Sequence, residues 1–318
     1  MYKALVTLAV GLAASMAPLT PAPAGESPTV IGVSIPGSEA AFHDKIRREA
    51  EQSAAAMGIQ TAVEDAQWDP GSQSAAVNRF VKQKVHGILI DNYGHSLLDL
   101  PIEVAVKAGI PVATVGDVKP DSDGLLVHVG DDNVQLGRDA ARLVIDRLGN
   151  KGSVIELEGG WPSAESRKAG FEEVIKKSKV RLLLSGSANP PAWSDTYSVH
   201  AAGDRQAARH DMADLIGRHH FEAVFAPNDE MIIGAIEALA EASINPGTKV
   251  TVGVGASPDA LRYLRDGRLT ATFDLLPGKQ VEPALQYLVA CIKGKTHPPR
   301  KVIFIKPRLV TKATLPPG

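Results

Sequence analysis

Hydrophobic positions along the chain alternate between two rhythms. Short apolar, β-rich runs occupy the first third: "TVIGVSI", "IQTAVED", "HGILIDN" and "IPVATVGD". Their length and β-branched content predict buried strands. Between them lie "KIRREAEQSAAAMG", "SQSAAVNRFVKQK" and "LLDLPIEVAVKAG", in which apolar residues recur at helical spacing with glycine near the ends. Such alternation predicts βαβ units around a parallel sheet. A second series starts with "LLVHVGDDNVQLGRDAARLVIDRLG" and runs through "GSVIELEGG", a helix from about Ser163, "VRLLLSG" and a helix from about Asp204. It continues with "FEAVFAPND", "TVGVGAS", "LTATFDLL", a last long helix and "KVIFIKPRLV". One compact sheet does not hold this many parallel strands. The pattern therefore predicts an α/β protein of two doubly wound domains, with "SANPPAWSDTYSVHAAGD" (187–204) as an irregular insertion beside the strand ends.

The N-terminus departs from this rhythm. A single cation, Lys3, precedes an apolar stretch over residues 4–17 and a proline-rich segment ending Ala22-Pro23-Ala24. This order predicts a secretory signal over residues 1–24, cut before Gly25, and an apolar part too short to span a membrane. The lone cysteine, Cys291, excludes an internal disulfide and reads as a small core residue. With no cysteine after the signal to carry a lipid, the expectation is an unanchored, monomeric protein of the periplasm. A net charge of −2 with no Lys/Arg block argues against nucleic acid as a partner.

Catalytic and cofactor motifs are missing from the chain. No H-E-x-x-H, G-x-S-x-G or C-x-x-C occurs, and no glycine-rich phosphate fingerprint follows a strand. His43, His95 and His200 lack metal-ligand spacing. The strand ends are more informative, because open α/β sheets bind ligands there. In turn they offer Phe42 and His43, Asp91 and Asn92, Asp117, Trp161 to Arg167, Asn228, Gly255 and Asp274. Amides, carboxylates and a guanidinium beside aromatic faces suit a polyhydroxylated ligand, whose hydroxyls take hydrogen bonds and whose C–H faces pack on rings. Asn228 in "AVFAPNDEMIIGAIEAL" has two readings, helix cap and ligand contact.

The motifs "FAPNDEMIIGAIEAL", "SRKAGFEEVI", "GDDNVQLGRDAA" and "QKVHGILID" together resemble the ribose/galactose branch of periplasmic sugar-binding proteins, the substrate-binding subunits of ABC importers. The resemblance implies two similar domains that close on one sugar, sugar-like polyol or sugar acid, and a permease as partner. It places crossovers near residues 130–132, 275–277 and 305–307. The first domain is then 25–131 completed by 276–305, and the second 132–275 completed by 306–318. It implies no enzyme activity, metal or cofactor. Asn228 and Arg167 match the family's ligand-binding asparagine and arginine, and Phe42 matches a stacking aromatic. Trp161 falls at the pocket rim, Trp193 is a candidate second stacking ring, and Trp68 sits on a loop the family seldom uses. Glycines stand at two positions where the family carries polar side chains. These are Gly116, beside Asp117, and Gly255; both are expected to leave space in the cleft. At Leu275 the family has an amide, and here only the preceding Asp274 is polar. Presentation of ligand to a chemoreceptor or sensor kinase, and an exported enzyme using His43 with Asp117 or Asp274, are the alternative functions.

Overall fold

The computed structural model describes residues 28–94, 96–116, 122–184, 204–294 and 302–315 of the 318-residue chain. The expected signal segment lies outside them. Five strands of the first half, β1 (Val30–Ile35), β2 (Gln60–Asp65), β3 (Gly87–Asn92), β4 (Val112–Gly116) and β5 (Val127–Asp131), alternate with α1 (Ala41–Ala56), α2 (Pro70–Gln83) and α3 (Asp99–Lys107). The second half repeats the plan with α4 (Asn133–Leu148), β6 (Ser153–Glu156), α5 (Pro162–Ile175), β7 (Arg181–Leu184), α6 (Arg205–Ile216), β8 (Ala223–Phe225) and α7 (Asp229–Glu241). Its remaining elements are β9 (Val250–Val254), α8 (Pro258–Arg265) and β10 (Ala271–Asp274). The chain closes with α9 (Pro277–Ile292), β11 (Val302–Ile305) and β12 (Arg308–Thr311).

Two six-stranded sheets result, ordered β2-β1-β3-β4-β5-β11 and β7-β6-β8-β9-β10-β12. All pairings are parallel except β10 with β12. Register follows the apolar pattern: Val33 lies between Val63 and Leu89, so the central strands bury both faces. Each sheet carries an apolar cluster on either side, one pair built on Ile31 and Ile88, the other on Val224 and Val154. Local signals start the helices. Asp69 caps α2 through Ser72 N at 2.6 Å with Pro70 next, and Asp132 caps α4 through Gln135 N at 2.9 Å.

The chain passes between the halves three times: from β5 into α4, from β10 into α9, and from β11 to β12. The single apolar run "KVIFIKPRLV" is thus split at Lys306-Pro307 into edge strands of different sheets. Gln280, fully buried on α9, ties this junction together. Its Nε2 donates to Asp131 Oδ2 at 2.9 Å and to the Leu275 carbonyl at 3.0 Å, and its Oε1 accepts from Gly116 N at 3.2 Å. One amide therefore joins the ends of β4 and β5 to the second crossing.

Candidate ligand-binding cleft

Strand order reverses between β1 and β3 in one half and between β6 and β8 in the other. Crevices at such switch points bind ligands, because the loops on either side diverge there. Here they open into one cleft of about 1030 Å³, walled by both halves.

Arg167 enters this cleft from α5 and is only 3 % exposed. Its Nε donates to Asn133 Oδ1 and an Nη donates to the Pro227 carbonyl, both at 2.8 Å. Its burial sets it apart from a surface ion-pairing arginine, and the nearby Glu172 pairs with Lys176. Two glycines set the position. A Cβ on Gly137 would come within 1.9 Å of the Arg167 carbonyl, and one on Gly170 within 1.9 Å of the Val134 carbonyl. Helices α4 and α5 cross at this pair, which brings Asn133 within reach of the guanidinium.

Asn228 lines the cleft and also caps α7, its Oδ1 accepting from Met231 N at 2.8 Å. The next residue does more than complement the helix dipole. Asp229 is buried, its Oδ1 accepting from Thr272 Oγ1 at 2.6 Å and its Oδ2 from Ser257 N at 2.7 Å. Burial pushes its carboxyl up to about 6 against those two hydrogen bonds. Asp229 also corrects the reading of Gly255 as open space. A Cβ on Gly255 would lie 3.1 Å from Asp229 Oδ2, and the backbone φ of +134° favours glycine there. Gly116 is likewise filled in: its Cβ would stand 2.8 Å from Asp91 Oδ1.

Among the expected first-half residues, Phe42 and His43 both line the cleft. His43 is buried with Nδ1 2.7 Å from Asp91 Oδ2, an arrangement that fixes the ring. Phe42 packs on its own half and also on the second half's cluster around Val254 and Leu275. Trp161, 5 % exposed, stands at the start of α5 and belongs to the second half's core while lining the cleft. Asp274 lies off the cleft wall. Its carboxylate accepts from Arg308 at 2.7 Å and from Leu276 N at 3.0 Å, so it joins the second crossing to β12. Asp117 and Trp193 lie outside the described residues.

Sequence reasoning passed over two rings that the structure brings to the cleft, Trp68 and Tyr93. Tyr93 directly follows the β3 end, so the strand-end rule pointed to it. Trp68 sits in a turn where Gln67 and Trp68 have φ of +50° and +62°. Consecutive left-handed non-glycine residues cost about 1–2 kcal/mol each, and Asp65 holds them by accepting from Ser38 N and Gln67 N at 3.0 and 2.9 Å. Asp204 and Glu230 also line the cleft. Glu156, at the end of β6, is buried away from it with neither oxygen hydrogen-bonded. Burial, then the charge of Glu172, pushes its carboxyl up to about 8. Among the described residues no group of three or more His, Cys, Asp or Glu is placed to hold a metal, and no helix is long and apolar enough to cross a membrane.

Residues 31–296 match the family model described as periplasmic binding protein domain. The ribose import binding protein of Bacillus subtilis is 29% identical over 276 residues, covering 80% of this chain and 84% of that one. The galactofuranose-binding protein of Escherichia coli is 29% identical over 297 residues, covering 91% and 88%. Among solved structures, the periplasmic binding protein component of the arabinose ABC transporter from Shewanella superposes with a TM-score of 0.78 at 27% identity, over 90% of this chain and 93% of that one. With the matched fold, the paired switch points and the shared cleft in agreement, the chain belongs to the periplasmic binding protein domain family.

Proposed function

We propose that this protein captures a sugar or close sugar analogue in the cleft between its halves and hands it to an ABC importer. The observation that carries the reading is the cleft's lining. A buried guanidinium at Arg167, the amide of Asn228 and aromatic rings at Phe42 and Trp161 converge where both sheets reverse strand order. Arg167 and Asn228 would hold hydroxyls by charge-assisted and amide hydrogen bonds, while Phe42 would take a C–H face of the ring. His43, held by Asp91, is proposed as a further contact on the same wall as Phe42. Asp117 and Trp193 are proposed as further contacts. Residues 1–24 are proposed as the export signal, which places the working protein in the periplasm beside a membrane permease.

A ligand held by both halves favours the closed form, so it must shift the open–closed equilibrium. The test combines two measurements on protein recovered from the periplasm, which should begin at Gly25. Calorimetry against ribose, arabinose, galactose, allose and inositol should find a binder. Small-angle scattering should then show a smaller radius of gyration, with the ligand chemically unchanged by NMR. Conversion of the ligand would overturn the reading in favour of an enzyme.

A further inference from the structure

The first half presents an arrangement that hydroxyl recognition leaves unexplained. Trp68 and Tyr93 stand with ring centroids 5.3 Å apart and planes at 75°, and His43 meets them at 5.2 Å and 79° and at 5.7 Å and 74°. Phe42 meets His43 in turn at 5.2 Å and 81°. All four rings line the cleft. Every neighbouring pair is edge-to-face, so the rings form a corner with steep walls rather than a flat platform.

The corner is built firmly. Trp68 N donates to the Pro36 carbonyl at 2.6 Å, and the indole lies on Gly37 so closely that a Cβ there would come within 2.4 Å of it. Tyr93 packs across the cleft on the second half's core cluster that contains Trp161. Gln67 and Trp68 both take left-handed backbone, and Trp68 lines the cleft. Strained conformations of this kind persist where the surrounding structure over-determines them, and they cluster at ligand sites.

A flat aromatic platform suits a sugar ring, which offers it a C–H face while its hydroxyls point outward around the equator. A right-angled aromatic corner does not. A sugar seated on one wall would press equatorial hydroxyls onto the ring carbons of the other, where only edge groups such as the Trp68 N–H and the Tyr93 O–H can replace part of the lost water. Such a corner fits a group that lacks hydroxyls on two adjoining sides. Polar side chains for a sugar ring, Arg167, Asn228 and Glu230, stand on the opposite wall. We propose that the ligand is a glycoside: its sugar ring held by the second half, its apolar aglycone packed in the angle that Trp68 and Tyr93 enclose. This inference rests on the reading of the cleft as a sugar site and adds the substituent.

The test is calorimetry with matched probes: ribose, arabinose, galactose and glucose, each beside its methyl and phenyl glycosides. At least one phenyl glycoside should bind about tenfold or more tightly than its parent sugar. In Trp68→Ala that ratio should fall to about twofold or less. Trp68→Leu keeps apolar bulk at the same place and should retain part of the preference, with folding of both variants checked by circular dichroism. Even if neither variant folds, the wild-type ratio decides. Free sugars binding as tightly as their glycosides would overturn the proposal while leaving the sugar reading intact. An unchanged ratio in a folded Trp68→Ala would equally overturn it. Failure of every carbohydrate to bind would overturn the sugar reading itself, and this proposal with it.

Discussion

Gln280 offers the sharpest test of how the halves are joined. Its amide makes three hydrogen bonds, to Asp131 Oδ2, the Leu275 carbonyl and Gly116 N, with no exposure to solvent. Gln280→Leu preserves bulk and removes all three. At about 1 kcal/mol for each lost bond, plus desolvation of the polar groups left behind, the expected loss is about 3–4 kcal/mol at any pH. Gln280→Glu separates polarity from packing more finely. Protonated, the new carboxyl would still donate to Asp131 and accept from Gly116 N, so at pH 5 the loss should be only about 1 kcal/mol. Ionised, it would face the Asp131 carboxylate at a position now 2.9 Å from its nearer oxygen. Burial and that like charge raise the folded-state pKa of the introduced group above its unfolded value of about 4.3. The raised value gives stability that is present below the unfolded pKa and lost as pH rises towards the folded one. Each pH unit in that window removes up to about 1.4 kcal/mol, so the deficit should grow to about 4 kcal/mol by pH 8. Urea unfolding followed by circular dichroism at pH 5 and pH 8 measures both variants. A leucine variant as stable as the parent, or a glutamate variant whose deficit does not change with pH, would refute the clasp.

Arg167→Ala should weaken ligand binding by about two orders of magnitude, since truncating a charge-assisted contact in a closed cleft costs about 2–4 kcal/mol. Calorimetry with the best sugar or glycoside measures it, and unchanged affinity would confine the arginine to bracing α4 against the loop before α7. Glu156→Gln should stabilise the fold at neutral pH. The native carboxyl titrates near 8 rather than near 4.5, so its contribution is complete below pH 4.5 and is lost as pH rises through 8. The advantage of the amide should therefore grow across that window, to about 3 kcal/mol near pH 7 in urea unfolding; a gap independent of pH would contradict it.

How much of this was legible in the sequence differs from one feature to the next. The strands declared themselves as apolar runs, and Pro307 marks the break that sends β11 and β12 to different sheets. Asn228 was readable as a cap because an Asn-Asp-Glu triplet precedes an amphipathic run. The seat of Arg167 was not readable, because Asn133 and the Pro227 carbonyl reach it from distant parts of the chain. Gly255 misled for a related reason. The space a glycine seems to free is taken by Asp229 from a neighbouring element, and no local pattern records that contact. Trp68 was set aside as part of a loop the family seldom uses; its place in the cleft depends on a left-handed turn supported by Asp65, Gly37 and the Pro36 carbonyl, contacts that no local pattern records. Asp274 followed strand-end logic correctly, yet its partner Arg308 lies on an antiparallel edge strand that the first half's plan does not contain.

The rings that bridge the cleft bear on how affinity is divided. Phe42 and Tyr93 each belong to the first half and pack on a core cluster of the second. Apolar contact between the halves therefore forms part of the closing force without any ligand. A ligand adds only its differential affinity for the closed form, so the more closure the chain supplies, the less the ligand must. Too much of it would close the empty protein and shut the ligand out. Arg167 works in the same direction. Held by Asn133 and the Pro227 carbonyl, it loses little rotamer freedom when a ligand arrives. On the proposed reading, discrimination would come from what both walls demand at once: hydroxyls placed for fixed polar groups on one side, and an apolar surface for the aromatic corner on the other.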